Sequence, residues 1–221
     1  MLEWGRLVVK SSGGKVALAE VAEIPITLGG AAKYNVANAL AAIGVARQLG
    51  LNAAAIGEGL RRFESTPESN PGRLNEFSIG GARIILDFAH NPHGVEALLR
   101  MGAALPAKRR LVTIGQAGDR DDESIRHLAA AAWAAKPDRV LIKAMTDYNR
   151  GREEGEVANL LETELRSLGA RDDHLARTDS ELDTARAALE WAQPGDLVLL
   201  IVHSHRDEVV ALLQSAARTP A

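Results

Sequence analysis

Beyond residue 72 the sequence alternates between short, mostly apolar runs and longer segments of helical periodicity, and this rhythm limits the possible folds more than any other feature. The apolar runs are "ARIILDF", "RRLVTIG", "DRVLIKA" and "DLVLLIV". Between and after them lie "GVEALLRMGAAL", "DESIRHLAAAAWAA", "GEVANLLETELRSLG", "SELDTARAALEWA" and "RDEVVALLQSAA". Strands without polar alternation suit a sheet that helices cover on both faces. The order β-α-β-α-β-α-(β)-α-β-α therefore predicts an α/β fold with a doubly wound, mostly parallel sheet. In such sheets ligands bind at the carboxyl ends of the strands.

The first 70 residues have a different texture. "RLVVK" and "KVALAEVAEIPITL" read as β-like runs, followed by helices over "KYNVANALAAIGVARQLGL" and "NAAAIGEGLRRF". In the first helix Val36, Leu40, Ile43 and Leu49 recur near helical spacing while alanine and glycine keep the other positions small. "ESTPESNPG", Glu64 to Gly72, gathers two prolines, two serines, an asparagine and a glycine, and reads as a linker. Two regions are thus expected, residues 1–70 and 71–221.

Composition removes several function classes. A net charge of −3 gives no electrostatic reason to bind nucleic acid or an anionic membrane. The chain has no cysteine, hence no disulfide, thiolate metal site or cysteine nucleophile, which fits a reducing cytoplasm. No apolar run nears the roughly 20 residues that span a bilayer. The opening "MLEWGRLVVKSSGG" has no signal-peptide core and reads as a strand and turn entered in mid-fold.

Applied to the second region, the strand-end rule selects Asp87, His90, Asn91 and His93; then "GQAGDRDDE"; then "MTDYNRGREEGE"; and finally "HSHRD". "IGQAGDRD" lacks the third glycine of a dinucleotide fingerprint, and no G-x-S-x-G nucleophile elbow exists. His90, His93, His203 and His205 lack the spacing of a known metal site, so no metal is assigned to them. Asp121 or Asp122 suits the N-cap of the following helix, a role compatible with ligand contact by Arg120. Arg150 and Arg152 flank a glycine, so one turn can present both guanidinium groups, or they form a solvated charge run.

Four motifs taken together resemble the Mur ligase superfamily of ATP-dependent amide-bond ligases. "YNVANALAA" is similar to the family's H-N-x-x-N-x-x-A-A helix, with Tyr34 where many members carry histidine. "GRLN" resembles the Gly-Arg that opens the family's C-terminal domain, and "DFAHNP" resembles its D-Y-A-H-N-P. "GDRDDE" followed by "RGREEGE" is most like cyanophycin synthetases within the superfamily.

The resemblance implies ATP and magnesium as cofactors, an acyl-phosphate route, and an incoming amino-acid or peptide substrate. It places Asn35 and Asn38 on the adenine side of the nucleotide and Arg73 on the phosphates. Asp87 would accept from ribose hydroxyls or hold the hinge, with His90 and Asn91 lining the nucleotide. Asp119, Arg120, Arg150, Arg152 and Glu156 become candidates for the incoming amino acid. For a cyanophycin-type enzyme that amino acid is arginine, whose guanidinium suits paired carboxylates such as Asp121, Asp122 and Glu156.

Nothing in the sequence fits the family's P-loop, G-x-x-G-K-[ST]; "SSGGKVAL" has the wrong spacing. The chain then reads as the end of a central ATPase domain joined to a complete C-terminal domain, inactive alone, with the magnesium ligands upstream. Two rival readings stay open: a Mur-family ligase of peptidoglycan-precursor or folylpolyglutamate type, and a non-catalytic nucleotide- or partner-binding module. The oligomeric state, including a homo-oligomer, is also open.

Overall fold

The computed structural model describes residues 1–11 and 14–218. The chain divides into two compact units, Met1–Ser65 and Thr66–Ala221.

In the first unit, strands β1 (Leu2–Glu3), β2 (Arg6–Ser11) and β3 (Gly14–Glu20) form an antiparallel sheet. Helices α1 (Lys33–Gln48) and α2 (Ala53–Arg62) follow. Leu7, Leu18, Ile24, Val36, Ile43 and Ile56 share the core of this unit. Gly57 allows the close approach of α2 to β3, since a Cβ there would lie 2.4 Å from the Leu18 carbonyl oxygen. Asn52 caps α2 by accepting from Ala55 N–H at 2.9 Å.

Two sequence expectations need correction here. The β-like run ends at Glu20, and Val21–Glu23 and Pro25–Thr27 are 3-10 turns. Pro25 supplies no N–H, and the buried Thr27 hydroxyl instead donates towards the Val21 and Ile24 carbonyls. Leu49 lies beyond the end of α1 and is exposed, so only Val36 and Ile43 of the four proposed positions are buried, with Leu40 partly so.

The second unit holds β4 (Asn75–Ile79), β5 (Ala82–Asp87), α3 (Pro92–Ala104), β6 (Arg110–Ile114), α4 (Asp122–Ala134) and β7 (Arg139–Lys143). These are followed by α5 (Glu156–Ser167), β8 (Leu175–Thr178), α6 (Glu181–Trp191), β9 (Leu197–Ile201) and α7 (Arg206–Arg218). The six strands lie in the order β4-β5-β9-β6-β7-β8, and all neighbours are parallel except the β4–β5 hairpin. The doubly wound sheet is therefore present, with one antiparallel edge strand that the apolar rhythm does not announce.

Alternate strand residues feed opposite cores. Ile84, Leu86, Val198 and Leu200 pack with Ala185, Ala188, Val209 and Leu213 of α6 and α7. On β9, Leu199 faces the other way, towards α3, where Gly102 makes room for it: a Cβ would lie 2.4 Å from Leu199 Cδ1 and force that side chain to shift. The chain leaves β5 and β6 for α3 and α4 but leaves β9 for α7. This reversal beside β9 is the switch point at which a sheet of this kind opens a crevice.

Candidate functional site

The carboxyl ends of four neighbouring strands meet at this switch point. The loop after β5 contributes Phe88 and His90, and that after β6 contributes Gln116, Asp119 and Arg120. Met145 and Tyr148 follow β7, and His203 follows β9. Together they line a cavity of about 190 Å³. A larger groove of about 390 Å³ lies between α3 and α4, but it is lined mainly by alanines and Leu99. Its charged rim is satisfied internally: His127 and Arg100 both pair with Glu96. Of these two, the strand-end cavity is the one that combines concavity with convergent polar groups.

The "GRLN" segment folds as interlocking turns at the edge of this site. Asn75 is fully buried, and its side chain accepts from Gly72 N–H at 2.8 Å while donating to the Asn70 carbonyl at 3.0 Å. A Cβ on Gly72 would lie 2.8 Å from Arg206 Cδ, and its φ of +73° also favours glycine. Leu74 adopts φ 51°, and its N–H donates to Asp87 Oδ2 at 2.9 Å. Asp87 Oδ1 accepts from Ala89 N–H at 2.8 Å. Both oxygens of this buried carboxylate are thus engaged by backbone amides. Burial raises its pKa, against the lowering effect of those two amides and of nearby Arg73. Arg73 itself is exposed, with its guanidinium 4.8 Å from the Phe88 ring centroid.

His90 is exposed and its ring centroid lies 5.0 Å from that of Phe88. Asn91 caps α3, accepting from Gly94 N–H at 2.9 Å, and Pro92 occupies the first helical turn. His93 is exposed. In the first unit Asn35 donates to the Ile26 carbonyl at 2.7 Å and accepts from Asn38 at 3.1 Å.

Of the five residues proposed for the incoming amino acid, four divide into two pairs. Asp119 and Arg120 are exposed and face the cavity. Arg152 and Glu156 instead belong to a clamp between two loops. Arg152 donates to the Gly118 and Arg120 carbonyls at 3.0 and 2.7 Å, and pairs with Glu156 and Asp122 at 2.5 and 2.8 Å. Those carboxylates hold its pKa above the usual arginine range. Gly118 completes the clamp: its N–H donates to the Tyr148 carbonyl at 2.8 Å, and a Cβ would lie 2.0 Å from the Asn149 oxygen. The paired carboxylates Asp122 and Glu156 do bracket a guanidinium, but it is the chain's own. Asp121 caps α4 through Ser124 N–H at 2.7 Å. Arg150 lies 5.5 Å from the Tyr148 ring centroid, outside the Arg152 clamp.

Beneath the cavity is an assembly that sequence reasoning missed. Lys143 and Glu181 are buried, with Lys143 Nζ 2.5 Å from Glu181 Oε1. Lys143 also donates to the Ile201 carbonyl at 2.8 Å. Glu181 accepts from the backbone amides of His203 and Ser204 at 2.6 and 2.7 Å. Burial pushes the Lys143 ammonium below its ordinary range, against the pull of Glu181. The His203 ring nitrogen Nε2 lies 3.0 Å from the Ala89 carbonyl oxygen. Burial and the adjacent Lys143 lower the pKa of His203 to about 4, so its ring is neutral near pH 7 and Nε2 carries the proton donated to Ala89. The available sequence signal was a lysine closing the apolar run "VLI" of β7.

Comparison with known proteins agrees with this architecture. The model of the family described as "Mur ligase, glutamate ligase domain" matches residues 72–201. A cyanophycin synthetase from Crocosphaera subtropica is 35% identical over 185 residues, covering 84% of this chain and 21% of the relative. Another, from Synechocystis sp., is 36% identical over 159 residues, covering 72% of this chain and 18% of the relative. The chain thus spans about a fifth of the length of these relatives. The solved structure of E. coli FolC in complex with ADP, without folate substrate, superposes with a TM-score of 0.65 at 24% identity, over 97% of this chain and 45% of that one. That likeness is one of fold.

Proposed function

The chain belongs to the Mur ligase family, and on that basis we propose that it is the C-terminal part of an ATP-dependent carbon–nitrogen ligase of the cyanophycin synthetase type. Residues 1–70 are then the end of a central nucleotide-binding domain and residues 71–221 the C-terminal domain, working in the cytoplasm. The observation that carries this reading is the convergence of Arg73, His90, Asp119 and Arg120 on one strand-end rim, in a chain 35% identical to a cyanophycin synthetase.

The side chains suit a nucleotide phosphate and an amino acid. Arg73, beside the face of Phe88, presents a guanidinium to solvent. Asn91 spends its carbonyl oxygen on the helix cap and keeps its amide NH2 for a ligand. ATP supplies the phosphoryl group that converts a carboxylate into a reactive acyl phosphate. Arg73 then neutralises phosphate charge, and Asp87 fixes the two loops carrying Arg73 and His90. Arg120 is assigned to the carboxylate of the incoming amino acid and Asp119 to its cationic group, which brings the amine close to the acyl carbon. Arg152 and Glu156 act through the shape of the loops, and Arg150 stands at the rim. Asn35 and Asn38 are assigned to the adenine side. Among the described residues no group of histidine and acidic side chains is arranged to hold a metal; magnesium is assigned to residues outside this chain.

The test is a product assay of the full-length protein with ATP and single amino acids. ATP consumption that depends on the amino acid, greatest with arginine, is the expected result. Consumption indifferent to every amino acid overturns the ligase reading. Arg73→Ala is expected to cut turnover at saturating ATP by about tenfold or more, the loss of one charge-assisted contact. The 221-residue chain alone, having no P-loop sequence, is the inactive control.

A further inference from the structure

The Lys143–Glu181 pair has a position that stability alone does not explain. A buried ion pair is commonly no more stabilising than two apolar residues of the same size. This one sits where the sheet opens. The ladder between β6 and β9 runs only to Val112 and Leu199. Beyond it Ile201 N–H is met by the Thr113 hydroxyl at 2.8 Å and its carbonyl by Lys143 Nζ. Gly115 gives the lysine its passage, since a Cβ there would lie 2.6 Å from Lys143 Cγ. Lys143 delivers Glu181 to the turn after β9, where its oxygens hold two successive amides, those of His203 and Ser204.

We propose that Lys143 and Glu181 are positioning residues for the cavity: by gripping the 203–204 turn they fix the His203 ring against the Ala89 carbonyl as a neutral wall. The consequence concerns ligand charge. Arg120 already brings one positive charge to the cavity, and Asp119 one negative. A second cation at position 203 would repel an ammonium or guanidinium group entering beside it. The charged and titratable groups around His203 are Lys143 from β7, Glu181 from α6 and His90 from the loop after β5, with the Phe88 ring at 5.7 Å. The orphaned Nδ1, buried and without a partner, leaves Nε2 to Ala89 as the single hydrogen bond of the ring itself, so packing and the gripped turn supply the rest of its restraint.

The wall is a property of the folded chain, whatever reaction the cavity serves. Imidazole nitrogen NMR on the 221-residue chain tests it. In the unaltered chain His203 is expected as the Nε2–H tautomer, protonating only near pH 4. Lys143→Met removes a cation and leaves the Glu181 carboxylate, so the protonation midpoint should rise by one pH unit or more, roughly a tenfold change in proton affinity. An unmoved midpoint overturns the proposal. The double variant Lys143→Met/Glu181→Leu keeps the site apolar and is expected to fold, yet it leaves both amides without acceptors. Its His203 should then exchange between tautomers; a single Nε2–H form retained there also overturns the proposal, whatever the single variant does.

Discussion

Two ionic clusters tie together loops of the same rim, in opposite surroundings. The Arg152 clamp joins the loops after β6 and β7 near the surface; its acidic partners Asp122 and Glu156 are 54% and 40% exposed. The Lys143–Glu181 pair joins β7, α6 and the turn after β9 in the interior, its side chains 0% and 4% exposed. Water screens the first cluster and leaves each partner an alternative. In the second, removing either member leaves the charge of the other buried and unpaired. The comparison separates two ways of holding a loop: an adjustable tie at the rim and a fixed one at the floor.

The largest effect should come from breaking the floor. Glu181→Ala leaves a buried lysine without its counter-charge and two backbone amides without an acceptor, and is expected to destabilise the chain by about 3–5 kcal/mol. Urea unfolding measures this, and a loss below that of a surface substitution would erase the contrast. The next effect is a pH dependence. The folded pKa of His203, about 4, lies below its ordinary 6.5. The unfolded chain therefore binds more protons between those values, and stability present above pH 6.5 is lost as the pH falls towards 4. The loss is roughly 3 kcal/mol and should be absent from a His203→Asn variant compared over the same range. Arg152→Met should give the smallest change, one that shrinks at high salt because its acidic partners are solvated. Melting curves at two ionic strengths show whether it does; an effect as large as that of Glu181→Ala, or indifferent to salt, makes the clusters equivalent.

What the sequence disclosed, and what it withheld, follows from the range of the interactions. The four long apolar strands and the helices were legible because burial on both faces imposes a pattern on consecutive residues. The Asp121 cap was equally local. Strand β4 escaped because half of it faces outward: Asn75 and Phe77 are buried while Glu76 and Ser78 are exposed. The rim was found from the strand-end rule, and Asp119, Arg120 and His90 do meet there. Arg152 and Glu156 look identical to ligand-binding residues in sequence, since a guanidinium and its acids carry no mark of which partner they hold. Glu181 reads as an ordinary first-turn acid, and its lysine lies 38 residues away. No local pattern joins them.

Asp87 has a consequence for how this rim changes over time. One oxygen restrains the loop carrying Arg73 and the other the loop carrying His90. A substitution that shifts either loop is therefore felt by the other before it reaches any ligand. The two segments form one heritable unit, and transplanting either into another scaffold brings its geometry only if the carboxylate and both its amide donors travel with it.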